Sequence, residues 1–155
     1  EGYATWTSPI RKYSDMMNHR LIKAVLTQQA CEKPQDEVLA RLQEARRQNR
    51  LVERDIADWL YCRYLADKVA ENAEFDAEVQ DVMRGGLRVQ LLENGASMFV
   101  PASTLHPNKD EMQVNADELA LYIQGERRYK IGDLVKVKLT EVREETRSII
   151  GQLII

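Results

Sequence analysis

Cysteine is scarce in this sequence: of 155 residues, only Cys31 and Cys62 carry a thiol. They lie far apart and form no CxxC, so neither a disulfide framework nor a zinc site can be read from them. Free thiols in a reducing compartment are expected. Histidine is equally scarce, and His19 has no ligand partner at metal spacing. No apolar run approaches the roughly 20 residues of a membrane-spanning helix, and no signal peptide is visible. A cytoplasmic protein with no membrane partner is expected. There is no global excess of positive charge either, because the formal net charge is −3. A nucleic-acid partner would have to be held by local patches. Nucleophile triads, glycine-rich phosphate loops and histidine clusters are all missing. The acidic residues do not gather in a loop as a two-metal phosphodiesterase requires, so no residue is read as a metal ligand. Glu1 is not an initiator methionine, and GYATWT reads as the middle of a longer protein.

What is present is globular: 44% hydrophobic and 30% charged residues, enough for one ordinary domain or two small ones. Two periods divide the chain. Residues 1–72 read as helical. Ser8 suits an N-cap and Pro9 a first helical position, and Ile10, Tyr13, Met17, Leu21 and Ala24 recur every three to four residues. A second helix starts after Pro34, with Asp36 and Glu37 favouring its N-terminal dipole. Its apolar face runs from Val38, Leu39 and Leu42 through Ile56, Trp59, Leu60, Tyr64 and Leu65 towards Asn72, and Trp59, Tyr61 and Tyr64 are expected in a core. Residues 73–155 alternate with period two. Phe75–Gln80, Leu87–Leu91, Met98–Val100, Leu134–Val142 and Ser148–Ile154 read as strands. Gly85-Gly86 and Asn94-Gly95 read as turns. His106–Asp117 reads as loop, followed by a short strand at Leu119–Ile123. Five main strands with an insertion between the third and fourth predict a five-stranded antiparallel barrel of the OB type. The fold class is α+β, a helical part followed by a barrel.

Candidate chemistry is anion binding. In TWTSPIRKYSDMMNHRLI, free amides at a helix start can face an anion, which makes Thr7 and Ser8 candidate contacts. Arg11 adds a planar fork suited to phosphate. Spacing alone leaves two readings open: an anion grip, or a capped surface helix with one Arg11–Asp15 ion pair. Arg46, Arg50 and Arg54 share one helix face, either as a phosphate-tracking stripe or as a solvated one. The barrel half carries ten Lys and Arg against fourteen Asp and Glu, a net charge of −4, so its basic candidates, Arg84, Arg88, Lys136 and Lys138, must act locally. Arg88 alternates with Val89 and so faces outward. Phe99 supplies an aromatic near the face where OB barrels stack single strands.

The run TSPIRKYSDMMNHRLI closely resembles the signature of the ribonuclease II family of 3′-to-5′ exoribonucleases. ERDIADWLYCRYL (Glu53–Leu65) is similar to the last long helix of that family's RNB catalytic domain, and the residues after it are similar to its S1 RNA-binding domain. The resemblance implies the C-terminal part of an enzyme that threads single-stranded RNA and hydrolyses it processively to 5′-mononucleotides. It implies a role for Arg11 in holding the scissile phosphate and for Glu53 near the 3′-terminal nucleotides. It also implies Mg2+ held by aspartates upstream of this sequence, so the fragment alone should not cleave. In the family, strand two usually reads Phe-Gly-x-Phe, whereas Gly85-Gly86-Leu87-Arg88 stands here, and a usual histidine of strand three aligns with Phe99. Arg88, Phe99, Lys136 and Lys138 become the candidate RNA contacts of the barrel, with single-stranded RNA rather than DNA as partner. Competing readings are a non-catalytic single-stranded RNA-binding module and a protein-docking domain built on the long helix.

Overall fold

The computed structural model describes residues 4–30 and 33–154. Cys31, one of the two thiols read above, lies outside them. The chain forms two compact units, Glu1–Val52 and Glu53–Ile155.

In the first unit, α1 spans Tyr13–Leu26. It does not start at Ser8 as the sequence suggested. Residues 8–12 form a separate turn, in which the Arg11 and Lys12 amides both donate to the Ser8 carbonyl (3.3 and 2.9 Å). Lys12 is extended (φ −116°, ψ 110°) and caps the helix without a side-chain bond. Ile10, expected on the apolar face, is consequently exposed. The second helix, α2, spans Asp36–Leu65, starting where the acidic first turn placed it and stopping earlier than Asn72. Its exposed first half is tied locally by a bidentate Arg47–Glu44 pair, with both bonds at 3.0 Å.

The second unit contains the hydrophobic core. The barrel strands are β1 (Glu74–Met83), β2 (Gly86–Leu91) and β3 (Ser97–Pro101). A four-residue helix, α3 (Ala102–Leu105), leads to a three-stranded sheet of β4 (Met112–Asn115), β5 (Ala120–Ile123) and β6 (Glu126–Lys130). β7 (Leu134–Arg143) and β8 (Ser148–Leu153) complete the barrel, which closes in the order β1-β2-β3-β8-β7. The predicted barrel and its insertion are therefore present, with two corrections. The barrel is mixed rather than antiparallel, since β3 and β8 run parallel, with Phe99 opposite Ile150. The reason is parity: strands that alternate direction cannot close a ring of odd number, so one neighbouring pair must be parallel. The insertion also holds β4 and β6, which the sequence hid because MQVN alternates for only four residues within a polar stretch and ERRYK carries a single apolar residue.

Inward positions alternate as the sequence pattern requires: Phe75, Ala77 and Val79, then Leu87, Val89 and Leu91, then Met98 and Val100, then Val137 and Leu139 are all buried. Each fully buried Leu or Val contributes about 1.5–3 kcal/mol. The last turns of α2 pack onto this core through Cys62 and Leu65, both buried. Burial, with Asp58 and Glu144 nearby, raises the Cys62 thiol pKa and keeps it an unreactive apolar filler. Trp59 and Tyr64, expected in the core, are exposed. They sit a helical step away from the Cys62–Leu65 stripe, and each is covered by a cation instead: Arg63 lies 5.1 Å from the Trp59 ring and Lys68 4.8 Å from that of Tyr64. Tyr61 is half-buried and donates its hydroxyl to the Asn94 carbonyl at 2.9 Å, a bond worth about 1 kcal/mol. It fixes the end of α2 against the β2–β3 loop, where Gly95 takes a left-handed φ of +81°.

Candidate nucleic-acid interface

The first candidate group is the loop that carries Arg11. Asp15 is the hub of this loop and has no solvent-exposed surface. Its Oδ1 accepts the Thr5 hydroxyl at 2.6 Å and the Ser14 hydroxyl at 3.3 Å, while Oδ2 accepts the Ser8 backbone N–H at 3.0 Å. One turn further along α1, Asn18 donates to the Thr5 carbonyl and His19 bonds the Trp6 carbonyl, each at 2.7 Å. Positions 15, 18 and 19 share one helix face, so α1 stitches residues 5–8 along its side. The Thr5 bond is the main cause that holds the Asp15 carboxyl below its usual pKa, helped by the Ser8 amide, Lys12 and Ser14. The expected Arg11–Asp15 pair is therefore absent. The carboxylate is engaged by the loop, and Arg11 is exposed in the turn above it. Thr7 is exposed, and Ser8 is half-buried with its amide committed to Asp15. Glu53 is exposed at the start of the second unit.

The second group lies in the second unit. Arg88 on β2 and Phe99 on β3 are direct cross-strand partners. Val89 and Val100 turn inward beside them, so both candidates reach the outer face, with Arg88 exposed and Phe99 half-buried. The Phe99 ring lies against Gly85, where an added Cβ would sit 3.7 Å from Cζ. A cleft of about 420 Å³ opens over this pair, lined also by Arg54, Asp55 and Asp58 of α2 and by Thr146, Arg147 and Ser148 at the β7–β8 turn. An aromatic face flanked by guanidinium groups is the arrangement that stacks a base and holds its phosphates.

Lys136 and Lys138 do not line this cleft. They share a face of β7, as expected, but stand opposite Asp76 and Glu74 of β1. Lys136 Nζ lies 3.9 Å from Asp76, with both side chains well exposed. Arg84 lies elsewhere, beside Lys109 and Asp110.

Sequence reasoning did not single out Asp55, Thr146, Arg147 or Ser148. They reach the cleft through the parallel β3–β8 pairing and the approach of α2 to the barrel, and neither leaves a local signature. Arg54 was visible only as part of a stripe. Among the described residues, no group of three or more His, Cys, Asp or Glu could hold a metal ion, and no helix is long and apolar enough to cross a membrane.

The S1 RNA binding domain matches residues 68–153, and the RNB domain matches residues 1–28. The chain is 84% identical over 154 residues to Exoribonuclease 2 of Haemophilus influenzae (strain 86-028NP), covering 99% of this chain and 23% of that protein. It is 74% identical to Exoribonuclease 2 of Pasteurella multocida, covering 98% of this chain and again 23% of the relative. The chain thus spans about a quarter of the length of the curated relatives it matches. Among solved structures, Mycoplasma genitalium RNase R in complex with ribose methylated single-stranded RNA superposes with a TM-score of 0.77 at 23% identity, covering 98% of this chain and 24% of that one. Its apo form gives a TM-score of 0.74 at the same identity and coverage. At that identity the likeness speaks for the fold. The Arg11 loop falls in the RNB match and the Arg88–Phe99 barrel in the S1 match, so the chain belongs to the ribonuclease II family, with RNB-domain sequence followed by an S1 RNA-binding domain.

Proposed function

We propose that this chain is the C-terminal portion of a cytoplasmic exoribonuclease that degrades single-stranded RNA processively from the 3′ end, releasing 5′-mononucleotides. Residues 1–72 are the end of its catalytic domain and residues 73–155 its S1 domain. The observation that carries this reading is the 84% identity to an Exoribonuclease 2 across 99% of the chain. Arg11 grips the scissile phosphate: its guanidinium presents paired donors to non-bridging oxygens and stabilises the charge that develops on them. The Asp15 network supports that role by fixing the turn from beneath and by committing both carboxylate oxygens to the loop rather than to Arg11. Thr7 and Ser8 flank the same phosphate path, and Glu53 acts near the 3′-terminal nucleotides. The barrel holds the RNA upstream of the cut, with Phe99 as a stacking platform and Arg88 on the backbone. Lys136 and Lys138 add weaker attraction from β7. Magnesium, which the family resemblance implies, finds no ligand set among the described residues. Both oxygens of Asp15 are already engaged, and the roles assigned to this chain require none of its carboxylates to bind a cation. Aspartates elsewhere in the parent enzyme would supply that site.

The test is Arg11→Ala in the full-length enzyme. Turnover on a single-stranded RNA is expected to fall by about a hundredfold or more, as for loss of one oxyanion-stabilising donor. Turnover within a few-fold of wild type would remove Arg11 from the chemistry. The 155-residue chain alone is expected to bind single-stranded RNA without cleaving it. The reading as a non-catalytic RNA-binding module predicts the same for the chain but no Arg11 effect in the parent.

A further inference from the structure

The cleft over Phe99 is bordered by a loose ion pair, Arg147–Asp55. Arg47–Glu44 and Arg143–Glu141 are bidentate, with bonds of 3.0 and 3.0 Å and of 2.6 and 2.9 Å. Arg147 instead meets Asp55 of α2 through one nitrogen at 3.4 Å, with the side chains 46% and 43% exposed. Charge-assisted hydrogen bonds run at about 2.7–2.9 Å, so this is a loose Coulombic contact that leaves most of the guanidinium fork free. Exposed pairs of this kind contribute little to stability. The backbone holds Arg147 in place more firmly than Asp55 does. Its φ is +52°, a left-handed conformation rare for residues other than glycine, and its N–H donates to the Glu144 carbonyl at 3.2 Å to close the β7–β8 turn. Arg147 therefore stands at the rim of a cleft that also holds Arg54, Arg88 and Phe99.

We propose that Arg147 is a backbone-phosphate contact of this cleft and that Asp55 is its resident competitor, displaced when single-stranded RNA enters. The proposal rests on the reading of the barrel as an RNA-binding face. It adds that the catalytic-domain helix takes part in that face by restraining a barrel arginine. A phosphate offers Arg147 two oxygens in the geometry its fork requires, and neutralising it releases counterions. Asp55 meets the fork through one nitrogen only, at 3.4 Å, and pairing with it releases no counterions from a nucleic acid.

The experiment is a double-mutant cycle on the whole chain, measuring the affinity for a labelled single-stranded RNA oligonucleotide by fluorescence anisotropy. Asp55→Asn should tighten binding about two- to fivefold, the scale of an exposed ion pair, and Arg147→Ala should weaken it. In the Arg147→Ala background the gain from Asp55→Asn should vanish. Asp58→Asn is the control for loss of charge alone: it removes the same charge from the same cleft wall, and its effect should persist in that background. Equal tightening by Asp55→Asn in both backgrounds, or none in either, would overturn the competitor role. Failure of the underlying reading looks different, because Arg88→Ala and Phe99→Ala would then leave RNA affinity untouched.

Discussion

Asp15 accepts the Ser8 backbone N–H at 3.0 Å and so closes a loop in which Arg11 has no carboxylate partner among the described residues. The relationship converts an aspartate that sequence spacing offered to Arg11 into a support for the backbone beneath it. Asp15→Ala should therefore lower turnover of the full-length enzyme although Arg11 remains. A displacement of about 1 Å at a reacting group costs on the order of a hundredfold. Steady-state kinetics on single-stranded RNA check this. Wild-type turnover in Asp15→Ala would show that the loop does not need its anchor.

The same carboxylate sets a pH dependence. Its pKa is lowered in the folded state from the ordinary value of 3.8, first by the Thr5 hydroxyl. A depressed acid contributes stability that is fully present above its unfolded pKa and is lost as pH falls through the folded one. The loop should thus stay anchored at neutral pH and down to about pH 4, loosening only below that. In an NMR titration, the Ser8 amide resonance should move with a midpoint below 3.8. A midpoint at or above that value would contradict the assigned bonds.

Charge removal on the barrel should depend on position. Arg88 stands opposite Phe99 in the cleft, whereas Lys136 lies 3.9 Å from Asp76 outside it. Arg88→Ala should weaken single-stranded RNA binding about tenfold and reduce the salt slope by roughly one counterion. Lys136→Ala should have the smaller effect. The reverse order would move the RNA path to β7.

Gly86 supports this face by having no side chain. Its φ is +143°, and a Cβ would sit 2.0 Å from the Val100 carbonyl oxygen. Gly86→Ala should destabilise the barrel by more than about 2 kcal/mol, combining a steric clash with backbone strain. Urea unfolding of the variant checks this, and a midpoint like that of wild type would contradict it.

The parts of the fold written in local periodicity were legible. The acidic start of α2, the inward alternation of Phe75, Ala77 and Val79, and the outward Arg88 all follow from patterns a few residues long. What could not be read depends on distant partners. Asp15 looked like a mate for Arg11 because four residues separate them, yet Thr5 and Ser8 reach it first once the chain turns at residues 8–12. Trp59 and Tyr64 looked like core residues because helical phase alone does not say which face meets the barrel. Arg147 gave no signal, since its approach to Phe99 depends on a parallel pairing between strands separated by about fifty residues of sequence. The family resemblance supplied a role for Arg11 but not the cleft that unites α2 with the barrel.

The central claim is that single-stranded RNA binds through the face built on Phe99. It is tested most directly by anisotropy titration of the chain and its Phe99→Ala variant, at about 50 and about 200 mM salt. Loss of one stacking platform should weaken binding by roughly five- to a hundredfold, and wild-type affinity should fall steeply between the two salt concentrations. Equal affinity of the two proteins, or binding indifferent to salt, would contradict it.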